Sequence, residues 1–199
     1  MNRITRPLFR GAFFGLVFTI TSGSLPPAEL LSAEPAKVSA GKEDVTLELA
    51  SWEQTTKIIA ANKGKIVVLD LWSTSCLPCL KEFPGLVQLQ HDFPRDVVCI
   101  SLNCDYIGGG KPEEGKDAVL EFLREKKAKI KNLLSSDSDE DVYKKSNTVS
   151  LPVVQVFGAD GKLAKQFDND NNDYGKDGFN YEKHIQPYVA GLVKQSGKK

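Results

Sequence analysis

The segment Ile66-Val-Val-Leu-Asp-Leu-Trp72 is almost continuously apolar and rich in β-branched residues, and four positions after it the chain reads Cys76-Leu-Pro-Cys79. An apolar run of this length needs cover on both faces, as the central strand of an α/β sheet has. The cysteines then fall where such a strand gives way to a helix. A helix N-terminus carries unpaired N–H groups and roughly half a positive charge, which stabilise a thiolate on the first cysteine. Cys79 lies one turn further in, within reach of Cys76. A disulfide across so short a loop constrains little of the unfolded chain, so the spacing suits a reversible pair better than a structural staple.

The rest of the chain alternates strand and helix patterns. Residues 45–49 (VTLEL) alternate as an edge strand does, and Ser51 caps a helix over residues 52–63 that Gly64 closes. A helix follows the cysteines to about residue 92, kinked at Pro84. Residues 97–103 (VVCISLN) read as a second buried strand, residues 113–127 as a helix and residues 130–134 (IKNLL) as a weaker strand. Residues 139–146 form a short helix. PVVQVFGADGKLAKQF, residues 152–167, reads as a hairpin turning at Ala159-Asp160-Gly161, and a last helix covers about Tyr181 to Lys194. The predicted fold class is α/β, with helices on both faces of the sheet and a C-terminal β-hairpin plus helix.

The N-terminus has a different character. Arg3, Arg6 and Arg10 precede the uncharged GAFFGLVFTI of residues 11–20, and small residues follow. This is the pattern of a secretory signal over residues 1–33, with cleavage near Ser24 or near Ala33. Ten residues of helix span about 15 Å against a hydrocarbon core of about 30 Å, too short for a stable crossing. Membrane contact is expected only if this segment stays uncleaved. Residues 34–44 read as a linker and residues 45–199 as one domain. Export places the cysteines where disulfides persist. Without residues 1–33 the chain keeps 23 basic and 25 acidic side chains, so no basic field favours nucleic acid.

Metal sites fare poorly. Cys99 and Cys104 are five apart, on opposite faces of a strand and about 16 Å from each other, so they form no second pair. Cys99 reads as a core thiol, and Cys104, at a strand end beside the central strand, reads as packing or a third redox thiol. Residues 110–117 (GKPEEGKD) miss a phosphate loop because Asp117 replaces the hydroxyl residue and Glu113-Glu114 repel phosphate. Residues 168–179 miss a calcium loop at Asp173 and Phe179. No metal and no cofactor is expected.

LDLWSTSCLPCLKEFP resembles the active-site segment of thioredoxin-fold proteins, and most closely that of the exported TlpA/ResA-type thiol–disulfide oxidoreductases. The matching residues are Trp72, Cys76, Cys79, Glu82 and Pro84, and SLPVVQVFGADGKL continues the match with Pro152 at the family's cis-proline. The resemblance implies a thioredoxin-like fold with a central mixed sheet, and a Cys76/Cys79 dithiol–disulfide cycle. It also implies a tuning role for Glu82 and a peptide-facing role for Pro152. Two residues depart from it. Asp70 stands six before Cys76, where thioredoxin itself has a buried acid and many exported relatives have none; it reads as the proton acceptor for Cys79, or as a strand-end polar residue. Ser75 replaces the usual aromatic before the first cysteine. The expected partners are disulfide-containing exported proteins and an upstream dithiol donor, acting on a monomer. Two other readings are a peroxiredoxin-like peroxidase, which lacks its Pro before Cys76, and a non-catalytic binding module or copper chaperone.

Overall fold

A computed structural model describes residues 45–170 and 173–196. The signal segment and linker expected over residues 1–44 lie outside the described residues. Six strands form one sheet in the order β1-β4-β3-β2-β5-β6. They are β1 (Glu48–Ala50), β2 (Ile66–Trp72), β3 (Val97–Asn103), β4 (Lys131–Ser135), β5 (Val153–Phe157) and β6 (Leu163–Phe167). The first four in sheet order run parallel, while β5 pairs antiparallel with both β2 and β6. The sheet is therefore mixed, and β2 is central as its composition requires.

Alternation along β2 sorts the core into two layers. Ile66, Val68 and Trp72 point to one face, where α2 (Leu77–Asp92), α3 (Lys116–Glu125) and α5 (Gln186–Ser196) supply Phe83, Leu86, Val119, Leu123 and Val189. Val67, Leu69 and Leu71 point to the other, under α1 (Trp52–Ala61) and α4 (Asp139–Ser146) with Ile59 and Val142. Asp70 shares its parity with Val68 and Trp72 and so belongs to the α2 face. Cys99 and Cys104 fall in different layers, as their odd spacing requires.

Helix ends follow local chemistry. Ser51 caps α1 in a capping box with Gln54, and Gly64, at φ +96°, turns the chain toward β2. Several boundaries differ from the sequence reading. α1 ends at Ala61 with Asn62 as its C-cap, short of the expected residue 63, and the helix expected over residues 113–127 is a 3-10 turn, Pro112–Gly115, followed by α3. β1 begins at Glu48 rather than Val45, because the side-chain amide of Asn132 donates to the carbonyl of Thr46 at 3.1 Å, where the ladder would otherwise begin. The last helix opens with a wide π turn, Tyr181–Ile185, before α5. Tyr181 is held at both its backbone N–H and its hydroxyl, and Asn180 donates its N–H to His184 Nδ1 at 3.0 Å, so this turn is fixed by side chains.

Candidate active site

Cys76 and Cys79 are joined as a disulfide at the start of α2, where Cys76 is the N-cap. The backbone N–H of Cys79 donates to Cys76 Sγ at 3.3 Å, a use of a free helix N–H that favours negative charge on that sulfur. The two sulfurs are not equivalent. Cys76 is partly exposed, while Cys79 is 3% exposed and packed in the α2-side core. Cys76 is therefore the more accessible of the two.

The loop that presents Cys76 is fastened from β3. Asp105 accepts hydrogen bonds from both the N–H and the hydroxyl of Thr74, each at 2.8 Å, and its own N–H is held by Asn103 Oδ1. Ser75, the departure noted above, is exposed and bonds Ser73 Oγ at 2.8 Å. Beside Cys76 opens a cleft of about 770 Å³ lined by Thr74, Leu77, Cys104, Asp105, Ile107 and Leu151, among others. Leu77 and Ile107 stand 77% and 79% exposed, so the apolar rim that the missing aromatic would supply comes from these two residues. Leu151–Pro152 is a cis peptide and opens β5 on this side of the molecule.

On β2, six residues before Cys76 and facing the α2 side of the sheet, lies Asp70, 4% exposed. It does not reach solvent or a backbone amide at the strand end; its Oδ2 accepts from the Tyr181 hydroxyl at 2.6 Å. Burial pushes its carboxyl up to about 7, the Tyr181 hydrogen bond pulls the other way, and the Glu82 charge adds to the rise. Glu82, on the turn of α2 after Cys79, accepts the backbone N–H of Tyr181 at 3.1 Å instead of pairing with a lysine. The five residues singled out from sequence are thus accounted for: Cys76, Cys79, Glu82 and Asp70 gather about the first turns of α2, and Pro152 follows Leu151 of the cleft wall.

Cys104 lines the cleft but is buried, its S–H directed at the Leu102 carbonyl, and burial drives its thiol well above the ordinary range. It is a packed thiol that does not ionise readily. Cys99 behaves likewise in the α2-side core.

Sequence reasoning missed Tyr181 and Asp105. Asp105 carried a usable signal, since it lies just past the carboxyl end of a parallel strand, where α/β sheets build sites. Tyr181 carried none, being 111 positions from Asp70.

Gly85 shows how closely Tyr181 is seated. A Cβ added there would stand 2.3 Å from the Tyr181 Cβ. Alanine normally improves a helix interior over glycine by about 1 kcal/mol. Here the sign should reverse, with Gly85→Ala costing about 2 kcal/mol through overpacking. Urea unfolding of parent and variant measures it, and a stabilised variant would mean that Tyr181 is not held against α2.

The likenesses to known proteins point the same way. The chain is 32% identical over 104 residues to the thiol-disulfide oxidoreductase ResA of Bacillus subtilis, covering 52% of each protein. It thus spans about half the length of that relative. No protein-family model matches the chain. Among solved structures, a secreted Mycobacterium tuberculosis disulfide oxidoreductase homologous to E. coli DsbE superposes with a TM-score of 0.51 at 22% identity, over 67% of this chain and 86% of that one. A thioredoxin-like protein in its oxidized form superposes with a TM-score of 0.51 at 14% identity, over 66% and 79%. The fold is thioredoxin-like, and the sequence resembles ResA-type proteins.

Proposed function

We propose that this protein is an exported thiol–disulfide oxidoreductase that reduces disulfides of other exported proteins through Cys76 and Cys79. The observation that carries the reading is the asymmetry of the pair: a partly exposed sulfur at a helix N-terminus, backed by a buried one, with a buried acid on the strand that leads into them. The names of the sequence relatives support it, and the pattern of residues 1–33 supports export. Among the described residues no helix is long and apolar enough to cross a membrane.

In the reduced protein the Cys76 thiolate attacks one sulfur of a partner disulfide. A mixed disulfide forms, and the partner's other sulfur leaves with the electron pair and takes up a proton. Cys79 then passes its proton to Asp70, directly or through a water, and attacks Cys76 Sγ. The Cys76–Cys79 bond forms, the second partner sulfur leaves, and two electrons have passed to the partner. The edge of β5 that Pro152 opens offers an extended partner chain a strand to pair with, and the apolar rim at Leu77 and Ile107 takes side chains flanking the partner cysteine. An upstream dithiol restores the pair.

The test is stoichiometric. Reduced protein mixed with a disulfide peptide should yield two peptide thiols per Cys76–Cys79 bond formed, by mass spectrometry after acid quench. Absence of exchange, with retention of one copper ion per chain, would instead favour a metal-binding module. Peroxide consumption that outpaces peptide reduction would favour a peroxidase.

A further inference from the structure

Tyr181 makes two contacts that packing alone does not require. Its hydroxyl donates to Asp70 Oδ2 at 2.6 Å, and its backbone N–H donates to Glu82 Oε2 at 3.1 Å. The two acceptors come from different elements: Asp70 on β2, the strand that leads to the cysteines, and Glu82 on α2, three residues after Cys79. The ring lies in the notch left by Gly85, and the wide turn Tyr181–Ile185 sets its backbone at the entry to α5. A phenylalanine would fill the same notch. The hydroxyl is the part that needs another explanation.

Resting on the thiol–disulfide exchange reading above, we infer that Tyr181 is a positioning residue of the exchange centre: by holding Asp70 Oδ2 and Glu82 together, it presents Asp70 Oδ1 as the oxygen that takes the Cys79 proton. Among the described residues the Tyr181 hydroxyl is the hydrogen-bond partner of the Asp70 side chain, which leaves Oδ1 as the free acceptor. Burial beside Asp70 keeps the Tyr181 hydroxyl protonated well beyond the usual phenol range, so it remains a donor and never competes as the base. A short O–H···O⁻ bond to a carboxylate is among the stronger hydrogen bonds, and it favours the ionised acid that a base must be.

The groups that bear on Asp70 come from every element packed on it. Burial raises its pKa most, Tyr181 on the π turn lowers it and Glu82 on α2 raises it, while its own charge raises the thiols of Cys99 on β3 and Cys104 just past β3. In the reduced protein the Cys79 thiol on α2 joins them. Only Tyr181 acts by donating a hydrogen bond to the carboxylate, so removing its hydroxyl should move Asp70 in one direction, upward.

The experiment uses the full chain and its Tyr181→Phe variant. Stopped-flow with a disulfide peptide follows resolution of the mixed disulfide against pH. In the parent the resolution rate rises with ionisation of Asp70, about 7. In Tyr181→Phe that midpoint should move up by about one pH unit, the low end for a hydrogen bond to a charged group, slowing resolution at pH 7 about fivefold. Resolution should slow more than the first attack. In an Asp70→Asn background the same substitution should have no further effect, because Tyr181 acts through Asp70. A carboxyl-carbon NMR titration of Asp70 in the oxidised protein gives the same shift without any exchange chemistry. An unmoved NMR midpoint, or equal slowing with and without Asp70, would overturn the inference. A moved NMR midpoint in a parent that exchanges with no peptide would uphold the hold of Tyr181 on Asp70 and overturn the proposed function.

Discussion

Replacing Cys79 with serine should stop the reaction halfway. Cys76 would still attack a partner disulfide, since its thiolate is favoured by the helix N-terminus and by the Cys79 backbone N–H, which serine retains. The second step has no other nucleophile nearby. Cys104 shares the cleft but is buried with its thiol driven far up, and Cys99 is in the core. Mixed disulfide should therefore accumulate to one partner per chain and resolve at least about a thousandfold more slowly than in the parent, the scale on which deleting a nucleophile acts. Non-reducing electrophoresis and mass mapping check this. Serine at Cys76 should give the opposite picture, with neither trapping nor turnover. Trapping through Cys79 in that variant would reverse the assignment of the two sulfurs.

How far this was legible in the sequence depends on the range of the interaction. β2 and α2 were readable because both signals are local: an apolar run that must be central, and cysteines spaced to meet at a helix start. The hairpin β5–β6 and helix α4 were readable for the same reason, each marked by its own turn or cap residues. Asp70 was conspicuous as an acid inside an apolar run. Its partner was not, because no period or spacing links it to Tyr181, and the strand-end alternative failed for want of any solvent path at 4% exposure. The late start of β1 depends on Asn132, 86 positions from Thr46, and the fastening of the Cys76 loop depends on Asp105, 31 positions from Thr74. Local chemistry thus located the reactive pair, whereas contacts between distant segments hold the surrounding groups in place.

Those distant contacts have a thermodynamic signature, and Asp70→Asn should reveal it. The carboxyl sits near 3.8 in the unfolded chain and at about 7 in the fold. As pH rises past 4 the unfolded chain gives up this proton while the native protein keeps it, so the unfolded state is favoured progressively. Above about 7 both states are ionised and the loss is complete. Integrated over that window, Asp70 alone should remove about 4 kcal/mol of stability between pH 4 and pH 8. Other groups titrate too: Asp137, lowered by its hydrogen bond from Lys145, gives a slope of the opposite sign below about pH 4. The difference between parent and variant isolates Asp70. Urea unfolding of the oxidised proteins at pH 4, 6 and 8 should show the parent losing stability relative to Asp70→Asn, with the larger part of the loss, about two thirds, between pH 4 and pH 6. At pH 8 the variant should be the more stable protein, by somewhat less than the full amount because a buried amide leaves a donor to satisfy, at about 1–3 kcal/mol. Its carbonyl can still accept from Tyr181, so the fold has no reason to change. Parallel stability curves for the two proteins would mean that Asp70 ionises as it does in the unfolded chain, and an acid already ionised at pH 5 would be too weak a base to take a proton from Cys79. The instability and the proposed proton-acceptor role therefore have one cause: the burial that makes the folded protein less stable at neutral pH also brings this carboxyl into the range a thiol-proton acceptor needs.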